Sequence, residues 1–183
     1  MTALTFVDKS LLNSKLCLND GRVQFTTQST KTSMGRSQET QILDGLSGAP
    51  IASIRWREKA FEINGRAFPI KQLRTKSSCL SQKSQWQWGS GTFEAKYKEG
   101  GWMITLEPSK DPIATLVPRE SHLFHDDVPA RVTLPATYHG GLGPDAIFFL
   151  VLLIYLQVTK ESNEGKGEVA GAVGEVAGAV AAV

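Results

Sequence analysis

The chain has few features of a secreted protein. Only two of its 183 residues are cysteines, Cys17 and Cys79, and they do not stand in a metal-ligand spacing. Two cysteines are too few for the disulfide framework of a domain of this size. The sequence has no Asn-x-Ser/Thr glycosylation acceptor, and its first ten residues lack the apolar core of a secretory signal peptide. These absences predict a cytoplasmic location, and they leave peripheral association with a membrane open.

The sequence also lacks an excess of either charge. It contains 20 Lys and Arg against 18 Asp and Glu, a formal net charge of +2. A strongly basic nucleic-acid binder is therefore not expected, although a balanced total can still contain a local basic patch. The hydrophobic content of 41% and the charged content of 21% are ordinary for a folded domain. Most of the chain should therefore fold.

Long apolar runs are absent except for one, AIFFLVLLIYLQV at residues 146–158. Gly143-Pro144-Asp145 before it is typical of a helix start, because proline is tolerated there and an early acid complements the helix dipole. The thirteen residues would span roughly 20 Å as a helix, whereas a bilayer-spanning helix needs about 20 apolar residues. The run favours a helix buried in the protein core, and a transmembrane or tail-anchor helix is the alternative.

Residues 4–134 show short strand patterns separated by turn residues. The clearest turn is Asn64-Gly65, a pair typical of tight β-hairpins. Gly100-Gly101 lies between two further alternating segments and predicts another hairpin. A sheet with one apolar face must close on itself or pack on something else.

A helix that is apolar on every face can fill the interior of a wide barrel. The predicted fold is therefore mainly β: an antiparallel closed β-barrel of about ten to twelve strands around one C-terminal hydrophobic helix. The core residues of this helix are predicted to be Phe148, Phe149, Leu152 and Tyr155, facing inward side chains such as Trp56.

The predicted domain covers residues 1–162 and includes the central helix at 145–159. Residues 163–183 have a different composition, rich in Gly, Ala and Val, with a seven-residue pattern that occurs twice. Each glycine costs a helix about 1 kcal/mol relative to alanine. The sequence therefore predicts a flexible tail.

Several segments resemble a known family. LTFVDKSLLNS, ILDG, IRWRE, FPIKQL and FEAKYKEGGW are similar to an uncharacterised fungal family of domains of unknown function. That family is placed near the tubby C-terminal-like superfamily of tubby, LURP-one-related and phospholipid scramblase proteins. The resemblance covers residues 4–162 and implies a barrel around a central helix. In the tubby branch it also implies phosphoinositide binding by basic residues, but none of those residues can be matched one by one to this sequence.

The candidate binding residues are basic side chains on predicted outward faces and in a connecting stretch. The candidate anionic-lipid patch consists of Arg55, Arg57, Lys71, Lys96 and Lys98, with Arg74 and Lys76 in the same stretch as Lys71. If the two strands that carry these residues are neighbours, the cations can meet lipid head groups, at about 1 kcal/mol per charge near such a surface. The alternative is a solvated face that Glu58 and Glu94 neutralise.

No catalytic constellation stands out in the sequence. Neither cysteine has a catalytic signature around it, and no nucleophile elbow occurs. The residues that most resemble a metal site are His122, His125, Asp126 and Asp127, but nearby prolines favour a polar loop there. We expect no metal and no cofactor.

The predicted function is that of a non-enzymatic β-barrel binding module, acting at a membrane surface or as an adaptor. Its predicted partners are anionic phospholipid head groups, such as phosphoinositides, or another protein, and not nucleic acid. One alternative is a tail-anchored membrane protein with a cytosolic β-domain. A second is a small enzyme of unknown reaction.

Overall fold

The structure is a computed structural model that describes residues 1–31, 37–78, 83–120, 127–136 and 142–176. The described strands are β1 (Thr2–Phe6), β2 (Ser14–Cys17), β3 (Val23–Lys31), β4 (Ser37–Asp44), β5 (Pro50–Arg55), β6 (Ala60–Ile63), β7 (Arg66–Pro69), β8 (Arg74–Ser78), β9 (Lys83–Trp88), β10 (Gly91–Lys98), β11 (Gly101–Leu106), β12 (Pro112–Val117) and β13 (Arg131–Leu134). The described helices are α1 (Ile70–Leu73) and α2 (Pro144–Val176).

In the described part of the chain, thirteen strands form one antiparallel sheet in the order β7-β6-β5-β4-β3-β2-β1-β13-β12-β11-β10-β9-β8. Most neighbours in this order are also neighbours in sequence, as expected for a chain of hairpins. The exception is the pairing of β1 with β13, which joins the two ends of the strand-rich region. The prediction of a mainly β, antiparallel fold with a C-terminal helix is confirmed.

The turn residues explain much of the strand register. Ile63 pairs with Arg66 across Asn64-Gly65, and both turn residues have positive φ, 50° and 75°. A two-residue type I′ turn requires this conformation, and it matches the twist of the flanking strands. The predicted hairpin at this position is therefore confirmed.

The first half of α2 is buried within the curved sheet. It contacts β5 and β6 near one edge of the sheet and β11, β12 and β13 in the other half. The buried residues lie on all faces of the helix: Ala146, Ile147, Phe148, Phe149, Leu150, Val151, Leu152, Leu153, Ile154, Leu156 and Gln157. The sheet therefore wraps around the helix, which is why the run could be apolar on every face.

The helix begins at Pro144 and continues past its predicted end at residue 159 to Val176. Its exposed part begins near Glu161. Within the described ranges, no helix is both long enough and apolar enough to cross a membrane.

The prediction of a closed barrel is wrong. The strands form a single row that ends at β7 on one side and β8 on the other, and these two edge strands do not pair with each other. The connection between them explains this. The chain turns through the single helical turn of α1 where a hairpin would be needed, and Pro69 at the end of β7 has no amide hydrogen to donate.

Side chains bridge the gap between the two edges, which we call the seam. Phe61 on β6 stacks on Trp86 on β9 with 6.3 Å between ring centroids. Phe68 on β7 meets the ring of Trp88 edge-on at 5.0 Å. Among the described residues no backbone hydrogen bond joins β7 to β8, so aromatic packing holds the two edges of the sheet together.

Candidate functional site

A cleft opens at the end of the seam where α2 leaves the sheet, and we call it the end cleft. Its volume is about 310 Å³. It is lined by residues of β8, β9, β11 and α2: Arg74, Lys83, Ser84, Trp102, Tyr155, Leu156, Thr159, Lys160, Asn163 and Glu164. Three of these residues are cations, and they come from three different elements of the fold.

Arg74 is placed by the edge strand on which it lies. It is the first residue of β8 and pairs with Trp86 on β9. Its guanidinium lies over the Trp86 indole, 5.8 Å from the ring centroid, as in cation–π contacts. The indole is held in turn by its N–H, which donates to Ser84 Oγ at 2.7 Å. The arginine therefore rests on a fixed aromatic surface.

The two lysines of the end cleft each have a carboxylate partner. Lys83 Nζ lies 2.6 Å from Glu94 on β10, and Lys160 Nζ lies 2.6 Å from Glu164 one helical turn later. Lys160 Nζ also lies 4.3 Å from the centroid of the Tyr97 ring. These contacts hold both ammonium groups in place.

The same contacts keep the lysines charged. The hydrogen bond with Glu94 is the main cause that raises the pKa of Lys83. The hydrogen bond with Glu164 is the main cause that raises the pKa of Lys160, and partial burial opposes it. Both ammonium groups are therefore protonated at neutral pH, and the end cleft is cationic there.

The floor of the end cleft is apolar and fixed by hydrogen bonds. Trp102 Nε1–H donates to Gln157 Oε1 at 3.0 Å, and Gln157 Nε2–H donates to Glu161 Oε1 at 2.8 Å. Tyr155 stacks on Trp56 with 5.9 Å between ring centroids. The two aromatic side chains that line the cleft are therefore held before any ligand arrives.

Some hydrogen-bonding groups in the lining are not used by the protein. Among the described residues, the Arg74 guanidinium, the Tyr155 hydroxyl and the Asn163 side-chain amide have no hydrogen-bond partner. All three can donate a hydrogen bond to an oxygen. Together with the two ammonium groups they give the end cleft the chemistry of an oxyanion site with an apolar floor.

Comparison with known proteins adds nothing to this geometry. No family model, no curated protein and no solved structure matches the chain. The resemblance to the fungal family and the tubby-like superfamily therefore stays a prediction.

The residues of the predicted anionic-lipid patch lie on several different elements. Strand β5 carries Arg55 and strand β10 carries Lys96 and Lys98, and these two strands are not neighbours in the sheet. Arg55 already binds Glu58, at 3.3 Å, and Glu62, and Lys98 binds Glu99 at 2.6 Å. The strand adjacency on which the patch depended is not present.

The other three residues of that patch are exposed at separate places. Arg57 follows β5, Lys71 lies on α1 and Lys96 lies on β10. None of them lines the end cleft. The predicted core residues of the helix are Phe148, Phe149 and Leu152, which are buried, and Tyr155, which is partly buried.

None of the three cations of the end cleft is among the five residues of the predicted patch, although Arg74 lies in the same connecting stretch as Lys71. Lys83 begins a strand whose partners cannot be read from its own sequence, and Lys160 directly follows the helix predicted at residues 145–159. Arg74 is one of several cations in the stretch that follows Ile70. Only the folded sheet brings the three together.

The histidine-rich segment contributes little to the described structure. His122, His125 and Asp126 lie outside the described residues, and Asp127 binds Arg119 at 2.8 Å. In the described ranges, no group of three or more His, Cys, Asp or Glu residues is arranged to hold a metal ion.

A second cleft of about 420 Å³ lies at the opposite end of the seam, beside Arg66, Phe68 and Trp88. Its main aromatic residue is already engaged. Trp88 stacks on Phe148 at 4.4 Å between ring centroids, and its indole N–H donates to Asp145 Oδ1 at 2.9 Å. The end cleft is therefore the stronger candidate for a binding site.

Proposed function

We propose that the protein is a non-enzymatic binding module that holds a phosphate-bearing head group in the end cleft, at a membrane surface. The convergence of Arg74, Lys83 and Lys160 on one cleft carries this proposal. Phosphate oxygens are strong acceptors, and arginine and lysine are the side chains that proteins most often use to bind them.

The lining also supports a ligand with an apolar part. Trp102, Tyr155 and Leu156 form the floor beneath the cations. Small-molecule sites commonly combine such apolar walls with a few fixed polar groups. A head group near the glycerol and acyl region of a lipid has this combination of charge and apolar surface.

Replacement of Arg74 by glutamine tests this proposal. Arg74 is the cation of the cleft with no carboxylate partner among the described residues, so its replacement should weaken binding without leaving a carboxylate of the protein unpaired. We expect the affinity for vesicles of phosphatidylcholine with phosphatidylinositol phosphate to fall about five-fold, as for the loss of about 1 kcal/mol. Cosedimentation with these vesicles, compared with pure phosphatidylcholine vesicles, measures it.

Arg57→Gln is the matched control, because it removes the same charge from an exposed arginine outside the cleft. We expect it to change the affinity less than two-fold. Equal losses in both variants would show general charge attraction and overturn the assignment of the end cleft. Binding of soluble inositol phosphate without vesicle binding would place the ligand in solution and not in a membrane, and binding of neither probe would refute the proposal.

The pH dependence provides an independent check. A raised lysine pKa means that the charged form is favoured in the fold, and that the charge is lost only when the pH rises above the ordinary lysine value of 10.5. We therefore expect the affinity to stay constant from about pH 8 to about pH 9, where a phosphate monoester with a second pKa of about 6 is almost fully ionised as well. A loss of affinity with a midpoint in this interval would contradict a site built on Lys83 and Lys160.

A further inference from the structure

The end cleft contains an acid as well as its cations. Among the described residues that line it, Glu164 is the only carboxylate. Its side chain is 59% exposed, whereas that of its partner Lys160 is 16% exposed. The lysine is thus fixed against the sheet, and the glutamate is the member of the pair that lies at the outer rim.

A simple anion meets an obstacle at this pair. An anion that binds Lys160 approaches the Glu164 carboxylate, which lies 2.6 Å from the same ammonium group, and the two like charges repel each other. The other acid nearby, Glu94, does not line the cleft and is 14% exposed. The opposing charge that a ligand meets within the lining is therefore that of Glu164.

A ligand with both charges meets no such obstacle. Its phosphate can bind Lys160 and Arg74, while its own cation pairs with the Glu164 carboxylate. One ion pair of the protein is then replaced by two between the protein and the ligand. No group is left with an unpaired charge in the cleft.

We propose, on the basis of the proposed function, that the end cleft is specific for a zwitterionic phosphate ester that carries a primary ammonium group, as in ethanolamine phosphate, and that Glu164 is the residue that selects it. A primary ammonium donates three hydrogen bonds and can replace the Lys160 ammonium at the carboxylate. A quaternary ammonium has no N–H group and cannot do so.

Two probes that differ only in the ammonium group test the selection. They are O-phosphoethanolamine and ethyl phosphate, and their affinities for the full-length protein can be measured by isothermal titration calorimetry or by NMR titration. We expect the protein to bind O-phosphoethanolamine about three- to five-fold more tightly, the range for one partly exposed ion pair. Phosphocholine, the quaternary analogue, should bind less tightly than O-phosphoethanolamine.

Glu164→Gln should change the affinities for the two probes in opposite directions. The variant loses the partner of the ligand's ammonium, so we expect the affinity for O-phosphoethanolamine to fall about three-fold. It also loses the acid that opposes simple anions, so the affinity for ethyl phosphate should rise by a similar factor. Because Glu164 is exposed, the substitution should leave the unfolding temperature unchanged.

Glu161→Gln is the matched control, since it removes the same charge from the same helix. Glu161 accepts a hydrogen bond from Gln157 and does not line the cleft. A general electrostatic effect would strengthen the binding of ethyl phosphate alike in both glutamine variants. That result, or a shift of both probes in one direction in Glu164→Gln, would overturn the selection by Glu164.

The two proposals fail in different ways. If Arg74→Gln lowers the affinity for both probes but Glu164→Gln does not change the ratio of the two affinities, the phosphate site is supported and the selection by Glu164 is wrong. If Arg74→Gln changes neither probe, the site itself is wrong. Cosedimentation with phosphatidylcholine vesicles, with and without phosphatidylethanolamine, then shows whether the selected group belongs to a lipid or to a soluble ester.

Discussion

Replacement of Leu152 by glutamate is expected to abolish folding. Leu152 has no exposed surface and lies in the middle of the buried half of α2. A carboxylate there has no partner, and an uncompensated buried charge costs about 3–5 kcal/mol. The lost leucine packing adds about 2–5 kcal/mol. Together these terms are comparable to the whole stability of an ordinary domain, about 5–15 kcal/mol.

Circular dichroism and thermal unfolding of the purified variant measure this effect. Leu152→Met is the conservative control and should cost less than about 1.5 kcal/mol, because the volume is kept. Ser162→Glu introduces the same charge on the exposed part of the same helix and should leave the unfolding transition in place. A cooperative transition in Leu152→Glu at the temperature of the unchanged protein would show that α2 is not part of the core.

The burial of this helix could be predicted because its sequence has no polar face. A run that is apolar on every side needs apolar surroundings on every side, and residues 146–158 are too few to cross a bilayer. The hairpins could be predicted for a similarly local reason, since turns such as Asn64-Gly65 need residues that tolerate positive φ. Both predictions depend on short stretches of chain whose own residues determine the local structure, whatever the rest of the fold is.

Closure of the sheet could not be predicted in this way. It depends on whether β7 pairs with β8, and the connection between them decides that. The sequence Phe68-Pro69-Ile70 is compatible with the end of a strand, whereas in the structure Ile70 begins the helical turn of α1. An Ile-Lys-Gln-Leu segment satisfies both readings, because so short an apolar pattern does not distinguish a strand from a helix.

The residues that line the end cleft could not be predicted from the sequence for a different reason. Alternation within a strand shows which side chains share a face, but it does not show which strand lies beside which. The predicted patch assumed that the strands of Arg55 and Lys96 are neighbours, and the sheet order separates them. Arg74 and Lys160 line the same cleft because the curved sheet brings its edge strand β8 close to the part of α2 that carries Lys160.

The open seam and the end cleft are linked physically. In a closed barrel the backbone of β8 would pair with β7, whereas here β8 is an edge strand, and the side chain of its first residue, Arg74, is exposed beside the open edge. A cation on an edge strand also discourages pairing with other chains. The Arg74 guanidinium at this open edge is available to a ligand. It lies over the Trp86 indole, which belongs to the aromatic packing across the seam.

The second large effect is expected at that surface, from replacement of Trp86 by alanine. Trp86 has no exposed surface, stacks on Phe61 at 6.3 Å and meets Tyr155 edge-on at 6.2 Å. A buried tryptophan replaced by alanine costs about 3–5 kcal/mol. Here the loss of stability should lie at the upper end, because the described part of the chain has no backbone hydrogen bonds between β7 and β8 to hold the two edges together.

Urea unfolding measures the stability, and the titration with phosphate probes measures the cleft. Trp88→Ala is the control at the other end of the seam: it should also lower stability, but it leaves Arg74 and its support in place and should keep the affinity. Trp86→Phe keeps a ring beneath Arg74 and should retain most of the binding if Trp86→Ala is too unstable to titrate.

Unchanged affinity in a folded Trp86→Ala would show that the indole does not position the arginine. A small loss of stability, below about 1 kcal/mol, would show that the seam is held by something other than its aromatic side chains.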